Sequence, residues 1–324
     1  MLQTFDERNR DLVVNVDGRL VHRDRAGVSP FDSSVQGGDA VWEGLRLYRG
    51  RIFRLERHLD RLRDSARALA FAEIPSHAAI TGEITRTLEA NGMFDGVHIR
   101  LTLTRGVKLT SGMDPRLNRS GPTLIVLAEH KPPVYREASS GGGITLATST
   151  IRRFPPDCLD PKIHHCNLIQ SILAKIQANE AGADDALMLD LRGFVAETNA
   201  THVFIVRRGE VLTPFVHACP EGVTRGAVLE LCARHAIPAR EAEVTLAEVY
   251  AAEECFCTGT MGELVPVRAV DGRAIPGGKV TGRLSRLFRA MTAREGTRVV
   301  SGKGATRGPT RATRSRPRRP RGRA

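Results

Sequence analysis

Residues 160–182 read DPKIHHCNLIQSILAKIQANEAG, and residues 183–201 continue ADDALMLDLRGFVAETNAT. Leu168–Ala181 has the length and apolar spacing of a helix, stopped by Gly182. Ala186–Asp190 reads as a strand, and the turn at Gly193 delivers Glu197 just beyond it. Lys162, on a short segment expected to be extended, precedes Glu197 by 35 residues. A lysine amine can condense with an aldehyde to a Schiff base, and a carboxylate can keep a proton on a pyridine nitrogen. That pair suits pyridoxal 5′-phosphate (PLP).

Working outward, the chain punctuates itself into mixed elements. Leu12–Val16 and Leu20–Val21 flank Asp17-Gly18, a hairpin signal. Asp39–Tyr48 alternates, and Leu55, Leu59, Leu62, Ala66 and Leu69 mark an amphipathic helix. Ser76–Asn91 predicts a second helix, and Val97–Thr104 and Thr123–Ala128 two strands around a long Gly/Pro/Asn/Ser loop. After Lys131-Pro132-Pro133-Val134 and a Ser/Gly stretch the mixture resumes: strands at 144–149, 202–206, 211–212, 254–258 and 263–270, helices at 224–235 and 280–293. Irregular alternation with hairpins predicts a mixed α/β (α+β) protein of two domains, not one doubly wound sheet. The expected divisions are 1–130, an N-terminal α/β domain; 131–143, a linker; 144–295, a C-terminal cofactor-binding α/β domain; and 296–324, a basic disordered tail.

The charge supports that last division. The formal net charge is +12, and ten Lys or Arg without one acid lie from Gly296 onward, so residues 1–295 carry +2. A tail of that composition buries too little apolar surface to fold; weak, salt-sensitive contact with nucleic acid is its sharper reading. No apolar run is long enough to span a membrane. The polar start MLQTFDERNRD is unlike a signal peptide, and six scattered cysteines suggest reduced thiols; a cytoplasmic protein is expected. His164, His165, Cys166 and Cys158 lack zinc spacing.

A cofactor phosphate needs helix-start amides and a cation. Glu221-Gly222-Val223-Thr224-Arg225 opens a helix, and Thr258-Gly259-Thr260-Met261-Gly262 is an amide-rich turn after a strand. With QGGDAVWEGLRLY at 36–48, RHLDRL at 57–62 and GFVAE at 193–197, these pieces in this order resemble the class IV PLP-dependent aminotransferases of the branched-chain and D-amino-acid type, over roughly residues 12–290. The resemblance implies a two-domain class IV fold with PLP in the interdomain cleft and a homodimer. It implies a cofactor set of Arg61, Glu197, Val223, Thr224 and Thr260. Trp42, Arg100, Met261 and Gly262 are implied around an amino acid, branched-chain-like, and a 2-oxo acid such as 2-oxoglutarate. An aminodeoxychorismate-lyase-type or D-amino-acid activity, or a PLP-fold protein without transaminase activity, are the alternatives.

The chain departs from that pattern in three places. Laid on Asp160–Asn167, the family's D-x-x-[IV]-K-x-x-N puts His164 where lysine is expected. Residues two apart on an extended segment share a face, so Lys162 is taken as the amine, with His164 as a second base or orienter. The competing reading is that Schiff-base chemistry is lost or altered. Lys175, within a helix, is expected in solvent. His202 stands where an asparagine is common, and Gly37 and His98 where branched-chain enzymes carry tyrosines.

Overall fold

The computed structural model describes residues 4–135 and 142–302. The first domain is built on an antiparallel sheet. Strand β1 (Val13–Val16) turns at Asp17 and Gly18, both with positive φ, into β2 (Arg19–His22). That is the backbone twist a two-residue hairpin needs. After the short helix α1 (Ser33–Gly37) come β3 (Ala40–Tyr48), β4 (Arg51–Ile52), the helices α2 (Leu55–Ala68) and α3 (His77–Ala90), then β5 (Val97–Thr104) and β6 (Thr123–His130). On β5, Val97, Ile99, Leu101 and Leu103 are fully buried against the helices. Leu55, Leu59 and Leu62 of α2 and Ile80, Ile84 and Leu88 of α3 fill the other side of that core. The period of two on the strand and of three to four on the helices meet there.

The second domain carries β7 (Ile144–Thr148), α4 (Ile169–Glu180), β8 (Asp185–Leu189), β9 (Val195–Thr198), β10 (His202–Arg207), β11 (Glu210–Pro214), α5 (Val223–Arg234), β12 (Ala239–Ala242) and α6 (Leu246–Tyr250). It continues with β13 (Glu254–Gly259), β14 (Glu263–Val270), β15 (Arg273–Ala274) and α7 (Lys279–Arg294). The sheet order is β12-β11-β10-β13-β14-β7-β8-β9, with β15 beside β14. Parallel pairs (β11–β12, β14–β7, β7–β8) mix with antiparallel ones, as the mixed α/β reading expects. Phe204 and Phe256 stack at 4.9 Å between ring centres in a core completed by Val228 and Leu231 of α5 and Leu284 and Phe288 of α7.

Three expectations need correction. First, the chain returns to the first domain after α7. Strand β16 (Thr297–Arg298) pairs with β4, and Val299 and Val300 are buried in the first core. The basic composition hid a Val-Val pair able to bury apolar area. Residues 303–324 of the expected tail lie outside the described residues. Second, the start of the linker is anchored: the Val134 amide donates to Met261 O at 3.0 Å, and Tyr135 is buried with its hydroxyl on Asp185. Residues 136–141 lie outside the described residues. Third, the segment at Lys162 is a turn. The Lys162 amide donates to Asp160 Oδ1 at 2.9 Å, and the Ile163 amide to Asp160 O at 3.1 Å. Asp followed by Pro sets this geometry: the proline fixes φ at the second position and the aspartate side chain caps the turn. The shared strand face of Lys162 and His164 therefore does not exist.

Candidate active site

A cavity of about 390 Å³ lies between the domains. The first domain contributes Trp42, Gly44 and Arg61; the second contributes Glu197, Thr201, His202, the start of α5 at Gly222–Thr224, and the turn Gly259–Gly262. His164 closes one wall. Gathered in one place are a guanidinium, a helix start, a turn and a carboxylate.

The α5 start is open. Its cap, Gly222 (φ 44°), supplies no side chain, so the first-turn amides of Val223 and Thr224 are left for a ligand. Gly222 is required there: a Cβ would collide with the His202 ring. Burial pushes the His202 pKa down to about 3, with Arg225 adding to the effect, so the ring is neutral. Thr258, directly opposite His202 on the neighbouring strand, lines the cavity with a buried hydroxyl that has no hydrogen-bond partner. An orphaned hydroxyl beside a helix start and an arginine suits a phosphate.

Arg61 is held by Glu43. Its Nε donates to Glu43 Oε1 and its Nη2 to Glu43 Oε2, both at 2.7 Å. His58 Nδ1 lies 2.6 Å from Glu43 Oε2. His58 and Arg61 are three apart on α2 and so share a face. Burial alone would raise the Glu43 pKa; the Arg61 charge outweighs it, and the carboxyl sits well below the usual range. Glu43 and His58 were not singled out from the sequence. The available signal was a carboxylate inside a mostly apolar strand, which demands a partner.

Glu197 is buried on β9. Burial pushes its pKa up to about 7, against the pull of Arg153 and Arg61. Arg153 Nη2 approaches Oε1 at 2.7 Å but is not aligned for a hydrogen bond, and Oε1 has no hydrogen-bond partner. A ring N–H would supply the directed donor that Oε1 lacks. These orphaned atoms fit the phosphate and ring of PLP.

The covalent anchor does not fit. Lys162 lines neither this cavity nor the neighbouring one; its side chain is 40% exposed and its Nζ lies 3.8 Å from Glu221 Oε1. Lys175 does line the cavity, contrary to its expected place in solvent. Its ammonium is bound to Asp184 O and lies 3.6 Å from Asp185 Oδ1, which ties α4 to β8. His164 occupies the lysine's place in the motif.

Around the substrate side, Trp42 and Met261 and Gly262 line the cavity. Arg100 does not; its guanidinium covers the Trp42 ring at 3.4 Å from the ring centre. His98 is buried with both ring nitrogens unpartnered, and burial pushes its pKa down to about 3. Beyond Trp42, His164, Glu197, Ala200 and Pro220 a second, more apolar cavity of about 690 Å³ opens, lined by Ile151, Phe154, Leu159 and Ile163 among others.

Comparison with known proteins agrees with this architecture. Residues 40–270 match the model of the amino-transferase class IV family. The branched-chain-amino-acid aminotransferase-like protein 2 of Arabidopsis thaliana is 53% identical over 90% of this chain and 52% of its own length. The chain thus spans about half of that relative, and the same holds for the Arabidopsis like-protein 1. The branched-chain-amino-acid aminotransferase of Pseudomonas aeruginosa is 34% identical over 86% of this chain and 92% of its own. The solved branched-chain aminotransferase of the thermophilic archaeon Thermoproteus uzoniensis, with norvaline, superposes with a TM-score of 0.79 at 28% identity, covering 87% of this chain and 95% of that one. This chain belongs to the class IV aminotransferase family.

Proposed function

We propose that this chain transfers amino groups between an amino acid of branched-chain type and a 2-oxo acid such as 2-oxoglutarate, with PLP as cofactor. The convergence in one cavity of Arg61, the open start of α5, the unpartnered Thr258 hydroxyl and the unpartnered Glu197 oxygen carries this reading. Arg61, Val223, Thr224 and Thr260 would hold the phosphate. Glu197 would face the ring nitrogen. The bound cofactor supplies an electron sink for the carbon that exchanges its proton. Trp42, Met261 and Gly262 form the substrate wall, with Arg100 stacked on Trp42 outside the cavity lining as a cation for a substrate carboxylate.

The homodimer is part of the same reading, supported by Ile169, Ile172, Leu173 and Ile176, apolar side chains at helical spacing on α4 and each about half exposed. Six free cysteines support a reducing, cytoplasmic setting. Among the described residues, no helix is long and apolar enough to cross a membrane.

The test supplies PLP, L-leucine or L-valine, and 2-oxoglutarate, and follows the branched 2-oxo acid and glutamate by mass spectrometry. Both products, lost in Arg61→Ala, are expected. Absence of both from cofactor-saturated protein would sink the reading.

A further inference from the structure

We infer that this chain holds its cofactor without a Schiff base to a lysine, and that His164 Nε2 is the atom that carries the proton during amino transfer. The inference rests on the amino-transfer reading above and deepens it.

Schiff-base capture of an aldehyde needs a primary amine, and among side chains only lysine has one. The chain contains six lysines among 324 residues: 108, 131, 162, 175, 279 and 303. Of the five within the described residues, only Lys175 lines the interdomain cavity, and its ammonium is committed to Asp184 O beside Asp185. Lys108 donates to Gly112 O from within the loop after β5. Lys162 is turned to Glu221 at the surface. An imidazole has no NH2 group and cannot condense with an aldehyde with loss of water, so His164 cannot substitute as an anchor.

His164 is instead built as a base. Its Nδ1 lies 2.5 Å from the Trp42 carbonyl oxygen and 3.3 Å from Glu43 Oε1. Both neighbours are acceptors, since Glu43 is ionised by its pair with Arg61. The proton of a neutral ring therefore sits on Nδ1, and Nε2 keeps its lone pair. The ring is stacked on Trp42 at 4.4 Å, and its backbone amide is fixed by Ser65 Oγ at 2.9 Å. Burial pushes its pKa down against the pull of Glu43, so the lone pair is present at neutral pH. In the proposed role Nε2 takes one proton from the substrate Cα, becomes imidazolium with Glu43 beside Nδ1, and returns one proton at the acceptor carbon. The ring ends as it began, and no oxidant or reductant is consumed.

The experiment has two readouts besides turnover. Full-length protein saturated with PLP is treated with borohydride, denatured, and weighed intact. The expected mass is that of the unmodified polypeptide, with the cofactor recovered as a small molecule; His164→Lys should gain a reducible adduct mapping to residue 164. In D2O, exchange of the amino-acid Cα hydrogen should fall about 100-fold or more in His164→Ala, while PLP affinity by equilibrium dialysis changes less than about threefold. An adduct on Lys162 or Lys175 of the wild type, or undiminished exchange in His164→Ala, overturns the inference while leaving the cofactor reading in place. No PLP binding by the wild type overturns both.

Discussion

Arg61 and Glu43 form a two-bonded ion pair inside the protein, with Nε on Oε1 and Nη2 on Oε2 at 2.7 Å each. The carboxylate comes from β3 and the guanidinium from α2, so the pair fixes a cation at the cavity wall. Removing one partner leaves a buried charge unmatched. Glu43→Gln should cost about 3–5 kcal/mol in urea unfolding. Glu43→Gln/Arg61→Gln should recover part of that loss, and a double variant no better than the single one would contradict the pairing.

The Thr258 hydroxyl is the opposite case, a buried donor with nothing to bind. Thr258→Val keeps the shape and removes the unsatisfied group, so stability without ligand should stay level or rise by about 1 kcal/mol. Phosphate-bearing ligands should bind about tenfold more weakly. Unchanged affinity would remove Thr258 from the phosphate cradle.

Gly222 caps α5 at φ 44° with the His202 ring where a Cβ would go. Gly222→Ala has to move either the helix start or the ring. A loss of about 2–3 kcal/mol in stability is expected, along with PLP affinity. Gly209, also at positive φ but with open space around it, is the control: Gly209→Ala should cost only about 1 kcal/mol.

His98 and His202 are neutral in the folded protein at a pKa of about 3 each. Unfolded histidines titrate near about 6.5. The unfolded chain therefore binds protons first as pH falls, and the stability these rings contribute above about 6.5 is lost on acidification. Each accounts for about 2 kcal/mol between pH 7 and 5. Glu197 works against them: its folded pKa of about 7 means the native state holds a proton the unfolded chain releases, so it favours folding as pH falls. Comparison with His98→Phe isolates one ring. Its loss of unfolding free energy from pH 7 to 5 should be smaller than that of the wild type by about 2 kcal/mol; parallel curves would mean His98 is not buried neutral.

Val299 and Val300 return the chain to the first core, and the Val299 amide donates to Gly50 O at 2.9 Å. Ending the chain before Thr297 should cost about 3–5 kcal/mol, since two buried valines and a strand pairing go. Ending it after Gly302 should leave the melting temperature within about 1 °C of the full chain. Equal effects from both cuts would show that the returning strand does not stabilise the core.

Most elements were legible because they rest on local pattern. The Asp17-Gly18 hairpin, the leucine spacing of α2, the alternation of β5 and the glycine at the start of α5 are each written within a few residues. The short strands β9 and β12 and the return of β16 were missed, because two to four residues carry too little periodicity to stand out. The site divides similarly. Glu197 and the α5 start were read from residue type and spacing and Arg61 from the family resemblance, and all three line the one cavity.

The sequence by itself determined the family-like order of motifs, the two mixed domains and a lysine count of six. Tertiary structure decided which side chains meet. It turned the segment at Lys162 away through a turn nucleated by Asp160 and Pro161, brought Lys175 out of expected solvent onto Asp184 and Asp185, and placed His164 between Trp42 and Glu43. The physical reason is that turns and helices are set by neighbours in sequence. Whether a charged or basic atom faces a cleft is set by partners 9 to 122 residues away, whose positions no local pattern specifies.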